Sequence, residues 1–182
     1  MPQPSHPRVK LRPFRVEEAE EVYRARALDP EGSVAQASIE RLRERLGRSG
    51  RMVDGRLDLA IEVDGRLIGE VDARQPKEGL PPGVYEIGIG LFRVEDRSQG
   101  FGREAFALLT DLLFERHEAE RVQASTWVEN LPMRKVLEGL GFVYEGKMRD
   151  FMPSPRGRDD FAMYGITRAE RAAVKRAEPG TS

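Results

Sequence analysis

Apolar residues along this chain switch repeatedly between a period of two and a period near 3.6, and the switches outline a series of strands and helices. Val9-Lys10-Leu11-Arg12-Pro13-Phe14 alternates like a strand, with Pro13 near its end, where proline is tolerated. Residues 16–28 carry Val16, Ala19, Val22, Tyr23 and Ala27 on one side, which predicts a helix stopped by Asp29-Pro30-Glu31-Gly32. A second helix is predicted from near Ser33 to Gly47, with Ile39, Leu42 and Leu46 as its apolar stripe. Residues 57–63 and 66–74 alternate on either side of Asp64-Gly65, a strong hairpin signal. Glu70 and Asp72 in the second of these strands are placed to face a groove, and the Pro- and Gly-rich residues 75–83 read as a loop bordering it.

The next stretch organises the rest. Val84, Ile87, Ile89, Leu91 and Phe92 predict a strand buried on both faces, with Glu86 as its one acid. Arg93, Glu95, Asp96 and Arg97 follow, then Ser98-Gln99-Gly100-Phe101-Gly102-Arg103. Ala105, Leu108, Leu109, Leu112 and Leu113 then recur at helical spacing. A glycine-rich loop thus delivers free backbone N–H groups and the positive end of a helix dipole to one place, where a phosphate is held well. Residues 121–128 predict a further strand ending at Trp127. Asn130 caps a helix with Pro132 in its first turn and Met133, Val136, Leu137 and Leu140 inside, and Gly141 ends it. Residues 142–148 and 160–166 predict two more strands around a turn at 153–158, and the chain closes with a helical stretch and a polar tail.

Composition narrows the chemistry. The 182 residues suit one domain: a flexible leader over 1–8, a folded body over 9–168 and a tail over 169–182. Thirty basic and 31 acidic residues nearly cancel, so neither nucleic acid nor a membrane is expected as a partner. With no cysteine there is no disulfide, thiolate metal site or cysteine acyl-enzyme, and a cytoplasmic location is expected. The two histidines, His6 and His117, lie in a Pro-rich leader and a charged helix end; both read as surface residues, and no metal is expected. Neither a signal peptide nor an apolar run near the ~18 residues of a membrane span is present. The Gly88-Ile89-Gly90 pair fails as a dinucleotide fingerprint, because its third glycine position is Arg93, and no P-loop motif occurs.

Arg97-x-x-Gly100-x-Gly102 after a buried strand resembles the pyrophosphate loop of the GNAT N-acetyltransferase superfamily. Downstream, Asn130, Arg134, Val136-Leu137-Glu138, Leu140-Gly141-Phe142 and then Glu145-Gly146-Lys147-Met148-Arg149-Asp150 are similar to the branch that contains ribosomal-protein alanine N-acetyltransferases. The resemblance is tight over residues 85–166 and looser over 9–74. It implies an α/β (α+β) fold: a mixed, mostly antiparallel central sheet with a splayed parallel strand pair and flanking helices, the first two helices walling the acceptor side. It also implies acetyl-CoA as cosubstrate, with its pantetheine arm beside the backbone around Leu91 and Arg93. The pyrophosphate then falls on backbone groups of Arg97, Ser98, Gln99, Gly100, Phe101 and Gly102, with Arg93, Arg97 or Arg103 offsetting its charge. Asn130 and Arg134 fall where the family touches the pantetheine or adenosine side. A homodimer is the candidate assembly.

The implied reaction is direct attack of an amine on the thioester. At pH 7 an α-amine costs about 1 kcal/mol to deprotonate and a lysine about 4.6, so a lysine acceptor asks more of a base. Glu86 is the candidate base, with desolvation expected to raise its pKa, and backbone N–H groups near Leu91 and Phe92 are expected to polarise the carbonyl. The tyrosine acid of many relatives falls at Leu137 here. Ser125, Thr126, Tyr144 or water must therefore protonate the thiolate, while Trp127 lines either the acceptor pocket or the core. A protein N-terminal α-amine is the first acceptor; a polyamine, amino acid or antibiotic amine, or a non-catalytic acyl-CoA-binding module, are the alternatives.

Overall fold

The computed structural model describes residues 8–27, 38–76, 79–155 and 157–177. Its elements run β1 (Val9–Arg12), α1 (Ala19–Ala27), α2 (Ile39–Gly47), β2 (Arg56–Val63), β3 (Arg66–Arg74), β4 (Val84–Leu91), α3 (Phe101–Arg116), β5 (Arg121–Trp127), α4 (Leu131–Gly139), β6 (Val143–Ser154), β7 (Gly157–Thr167) and α5 (Arg168–Ala177). Asp64 and Gly65 take φ of 50° and 76°, the two positive values that a two-residue hairpin of matching twist requires. Ser38 caps α2 by accepting from the Arg41 N–H at 3.4 Å. The predicted stop at 29–32, the Ser33 start, the leader with His6 and the end of the tail lie outside the described residues. Val16, expected on the buried side of the first helix, is 51% exposed in a 3-10 turn ahead of α1.

Seven strands form one sheet in the order β1-β2-β3-β4-β5-β7-β6. Every pairing is antiparallel except that of β4 with β5, which is parallel and covers only Val84 to Glu86 against Arg121 to Gln123. This is the mixed sheet with a splayed parallel pair. One face packs Leu57, Val71, Ile87, Val122 and Tyr164 beneath Leu109 and Leu113 of α3 and Leu137 of α4. The other packs Ala60 and Leu67 with Phe14, Val22 of α1 and Leu42 and Leu46 of α2. Each such aliphatic side chain contributes about 1.5–3 kcal/mol by leaving water. No helix among the described residues is long and apolar enough to cross a membrane.

The strand expected to be buried on both faces is buried on one. Tyr85 and Ile87 point into the core, while Glu86, Gly88 and Gly90 point to a half-open polar face. The hydrophobic run misleads because glycines, having no side chain, supply the alternation that polar residues would otherwise display.

β3 and β4 approach closely at Gly69, where an added Cβ would lie 2.3 Å from the carbonyl oxygen of Gly90. Gly69→Ala is therefore expected to destabilise the fold by about 1–3 kcal/mol, since backbone must move to admit it; thermal denaturation measures this.

Candidate functional site

The site begins where β4 and β5 part. The Phe92 N–H donates to the Ile68 carbonyl at 2.9 Å, which sets the phase of the β3–β4 ladder. In an antiparallel ladder alternate residues bond to one neighbour, so the N–H and C=O groups of Ile87, Ile89 and Leu91 face away from β3, toward β5. On β5, the Val128 N–H donates to Asp160 at 3.1 Å, so the backbone of Ser125 faces β4 across the gap. The Phe92–Ile68 bond corrects one expectation: the Phe92 N–H is occupied within the sheet, whereas the Leu91 N–H faces the gap.

A cavity of about 190 Å³ occupies the gap. Glu86, Gly88 and Ser125 line it from one sheet face and Ile87, Ile89 and Thr126 from the other, so it passes through the sheet, with Asn130 and Met133 of the α4 end closing one side. Asn130 caps α4, its Oδ1 accepting from the Met133 N–H at 3.2 Å.

At the upper end of the gap the chain turns through a 3-10 turn at Val94–Asp96 and reaches α3 through Gly100 at φ 86°, a left-handed conformation that favours glycine. Glu104 makes the first intrahelical bond, to Gly100 at 3.1 Å, so the N–H groups of Phe101, Gly102 and Arg103 lack intrahelical acceptors. Gly102 sits over β4, where a Cβ would meet Ile89 and Leu91 at 3.7 and 3.8 Å. The loop is anchored from three sides. Arg66 forks onto the buried Asp96 at 2.6 and 3.0 Å. Arg8 donates to the Gln99 carbonyl at 2.7 Å and covers the Phe101 ring at 4.7 Å. The Val9 N–H donates to Glu104 at 2.9 Å. Arg97 and Ser98 are exposed at the rim; Arg103 donates to the Gly139 carbonyl at 3.0 Å, and Arg93 lies 3.8 Å from Glu21. Free donors, glycine access and arginines at a helix N-terminus fit a pyrophosphate, and the unpaired edge of β4 fits an amide-bearing arm.

Glu86 is half-buried. Its carboxylate accepts from Arg74 at 3.1 Å and from Gln123 at 3.5 Å. Arg74 in turn meets Asp72 at 3.1 Å, and Asp72 meets Arg56 at 3.4 Å. Nearby, Arg26 of α1 forks onto Glu70, which Arg45 of α2 also reaches at 3.3 Å. Burial pushes the Glu70 and Asp72 carboxyls above their ordinary range, against the pull of these arginines.

The other candidates separate. Ser125 and Thr126 line the cavity. Tyr144 lies on β6, the sheet edge, with β7 and β5 between it and the gap, and stacks edge-on to Tyr164 at 5.4 Å. Arg134 is tied down: it donates to the Tyr164 hydroxyl at 3.0 Å and the Val128 carbonyl at 3.1 Å. Leu137 is wholly buried in the core. Arg74, Gln123, Phe106 and Met133 belong to the site's wall or its hydrogen bonding without having been singled out from sequence. Strand register, which the residues alone do not carry, puts Arg74 opposite Glu86. Among the described residues no group of three or more His, Asp or Glu could hold a metal ion.

Comparison with known proteins follows the same lines. Residues 8–143 match the family model described as an acetyltransferase (GNAT) domain. An uncharacterized N-acetyltransferase p20 of Bacillus licheniformis is 33% identical over 90 residues, so the match spans 50% of this chain and 50% of that curated relative. The fold is similar to RimL, a ribosomal L7/L12 α-N-protein acetyltransferase solved with coenzyme A, at a TM-score of 0.74 and 16% identity, covering 90% of this chain and 96% of that one. It is also similar to a chimera of spermidine N-acetyltransferase SpeG from Vibrio cholerae and hSSAT, at a TM-score of 0.75 and 17% identity, covering 91% and 98%.

The Arg66 fork holds Asp96 below the usual carboxylate range. Because the folded value is depressed, the stability it contributes is present above about pH 4 and is lost as pH falls through the lowered value. Asp96→Asn is expected to melt at lower temperature than the parent at pH 7, and the difference should shrink as pH is lowered below 4; melting curves across that range check it.

Proposed function

Because the chain belongs to the GNAT acetyltransferase family, we propose that it transfers an acetyl group from acetyl-CoA to a primary amine, and that the amine is a protein N-terminal α-amine. The observation that carries this is the continuity of the glycine loop, the unpaired edge of β4 and the cavity with Glu86 on its wall. Acetyl-CoA supplies an activated thioester. Its pyrophosphate would lie on the N–H groups of Phe101, Gly102 and Arg103, with Arg97 beside them, and its pantetheine along the free groups of Ile87, Ile89 and Leu91.

Glu86 accepts a proton from the incoming amine, directly or through one water, and Arg74 and Gln123 orient its carboxylate. The Leu91 N–H is the donor for charge that develops on the carbonyl oxygen. Ser125, on the cavity wall, is the side chain for returning a proton to the departing sulfur; Tyr144 is set apart by two strands.

The acceptor choice rests on charge. Solved relatives of this fold act on a ribosomal α-amine in one case and on spermidine in another. On the acceptor face of this chain Asp58, Glu70, Asp72 and Glu86 are each paired with arginine, drawn from Arg26, Arg45, Arg56 and Arg74. The carboxylates beside the gap are thus already compensated, which favours an α-amine that costs little to deprotonate over a polycation.

Thiol release from acetyl-CoA, followed across N-terminal peptides, lysine peptides and spermidine, tests the reading; turnover is expected with N-terminal peptides first. Glu86→Gln should lower turnover by about a hundredfold or more while leaving the KM for acetyl-CoA within about twofold; unchanged turnover removes Glu86 from the reaction. Gly100→Val, which forces a β-branched residue into left-handed backbone, should instead raise the KM for acetyl-CoA.

A further inference from the structure

A second cavity, of about 290 Å³, lies on the acceptor face between α2 and the start of β2. Arg41, Arg45 and Arg48 line it from one side of α2, at the i, i+4, i+7 spacing that brings side chains onto one helical stripe. Arg56 lines it from β2. Three carboxylates share the recess, and they are unequally engaged. Asp58 is buried and held by Arg56 in a two-nitrogen fork at 3.0–3.1 Å. Asp54, 87% exposed, meets Arg48 only at 3.7 Å, and Glu44 is exposed. Arg41 makes no ion pair among the described residues, whereas Arg45 is engaged, its Nε 3.6 Å from Asp58 and its Nη2 3.3 Å from Glu70. Arg41, with no ion pair, and Arg48, held only at 3.7 Å by an exposed carboxylate, are therefore the guanidinium groups of the recess open to a further carboxylate. Guanidinium forks match carboxylates in geometry and charge.

Its position relative to the reacting end is fixed by register. Asp58 pairs with Asp72, and Asp72 pairs with Gly88, which lines the cavity in the strand gap. Two strand spacings, about 10 Å, separate the recess from the gap. The sheet face between them carries the row Arg56, Asp72, Arg74 and Glu86, already paired internally.

The geometry points to an acceptor that is an N-terminal peptide carrying a carboxylate side chain three or four residues after its amine, with the amine at Glu86 and the carboxylate among Arg41, Arg48 and Arg56. An extended chain advances about 3.3–3.6 Å per residue, so three residues span the interval, and a free amino acid does not. This rests on the α-amine acceptor reading and adds the class of peptide it selects.

The test uses the full chain loaded with coenzyme A and two fluorescently labelled peptides that differ only in Glu or Gln at the fourth and fifth positions. Binding is measured by anisotropy, and thiol release from acetyl-CoA is measured in parallel. The Glu peptide should bind about threefold to tenfold more tightly at low salt. The preference should fade as salt rises, disappear in the Arg41→Gln, Arg48→Gln double variant and pass to a Lys-bearing peptide in Arg41→Glu, Arg48→Glu. Equal binding of the Glu and Gln peptides, no binding of either, or a preference that survives in the double variant overturns the recess. Charge-dependent binding without thiol release supports the recess while sinking the acceptor reading, so the two failures are told apart.

Discussion

A single shortage of hydrogen-bond partners organises this molecule. β4 is held by β3 from Glu86 to Leu91, and β5 along its whole length by β7, but β4 and β5 pair with each other over three residues. Beyond Glu86 the two strands follow their other neighbours, and the sheet's twist carries them apart. Buried backbone N–H and C=O groups without partners cost free energy, so an exposed inner edge of this kind persists where a ligand or water completes it. The glycine loop, the helix N-terminus and the through-sheet cavity all lie along that edge.

The polar face beside the gap obeys a second constraint. Glu70 and Asp72 sit in a layer covered by α1 and α2, where an isolated carboxylate would be too costly. Arginines from four elements neutralise it: Arg26 from α1, Arg45 from α2, Arg56 from β2 and Arg74 from β3. The glycines of β4 make this possible. A Cβ at Gly88 would lie 2.8 Å from the Asp72 carboxylate, so the strand gives up side chains where the charged layer needs room. Stability and the proposed acceptor recognition thus draw on the same groups, and Arg41 and Arg48 stand out as arginines of this face that the layer does not need.

Local signals in the sequence carried much of this. Asp64-Gly65 marked its hairpin, the glycine loop marked the start of α3, and Asn130 with Pro132 marked α4, because each depends on a few adjacent residues. What depends on register did not show. Arg74 stands opposite Glu86 only once β3 and β4 are aligned. Phe92 loses its N–H to Ile68 through ladder phase, and Tyr144 is far from the gap because β7 inserts between β5 and β6. The stripe of Arg41, Arg45 and Arg48 is visible as helical spacing, but its partner Arg56 comes from another element.

The loop is also fastened to the beginning of the fold. Arg8 grips Gln99 and shields Phe101, and the backbone of Val9 is held by Glu104. The start of the described chain is thereby held against the rim of the glycine loop. A substitution at Arg8 or Val9 therefore reaches that rim from more than ninety residues away in sequence.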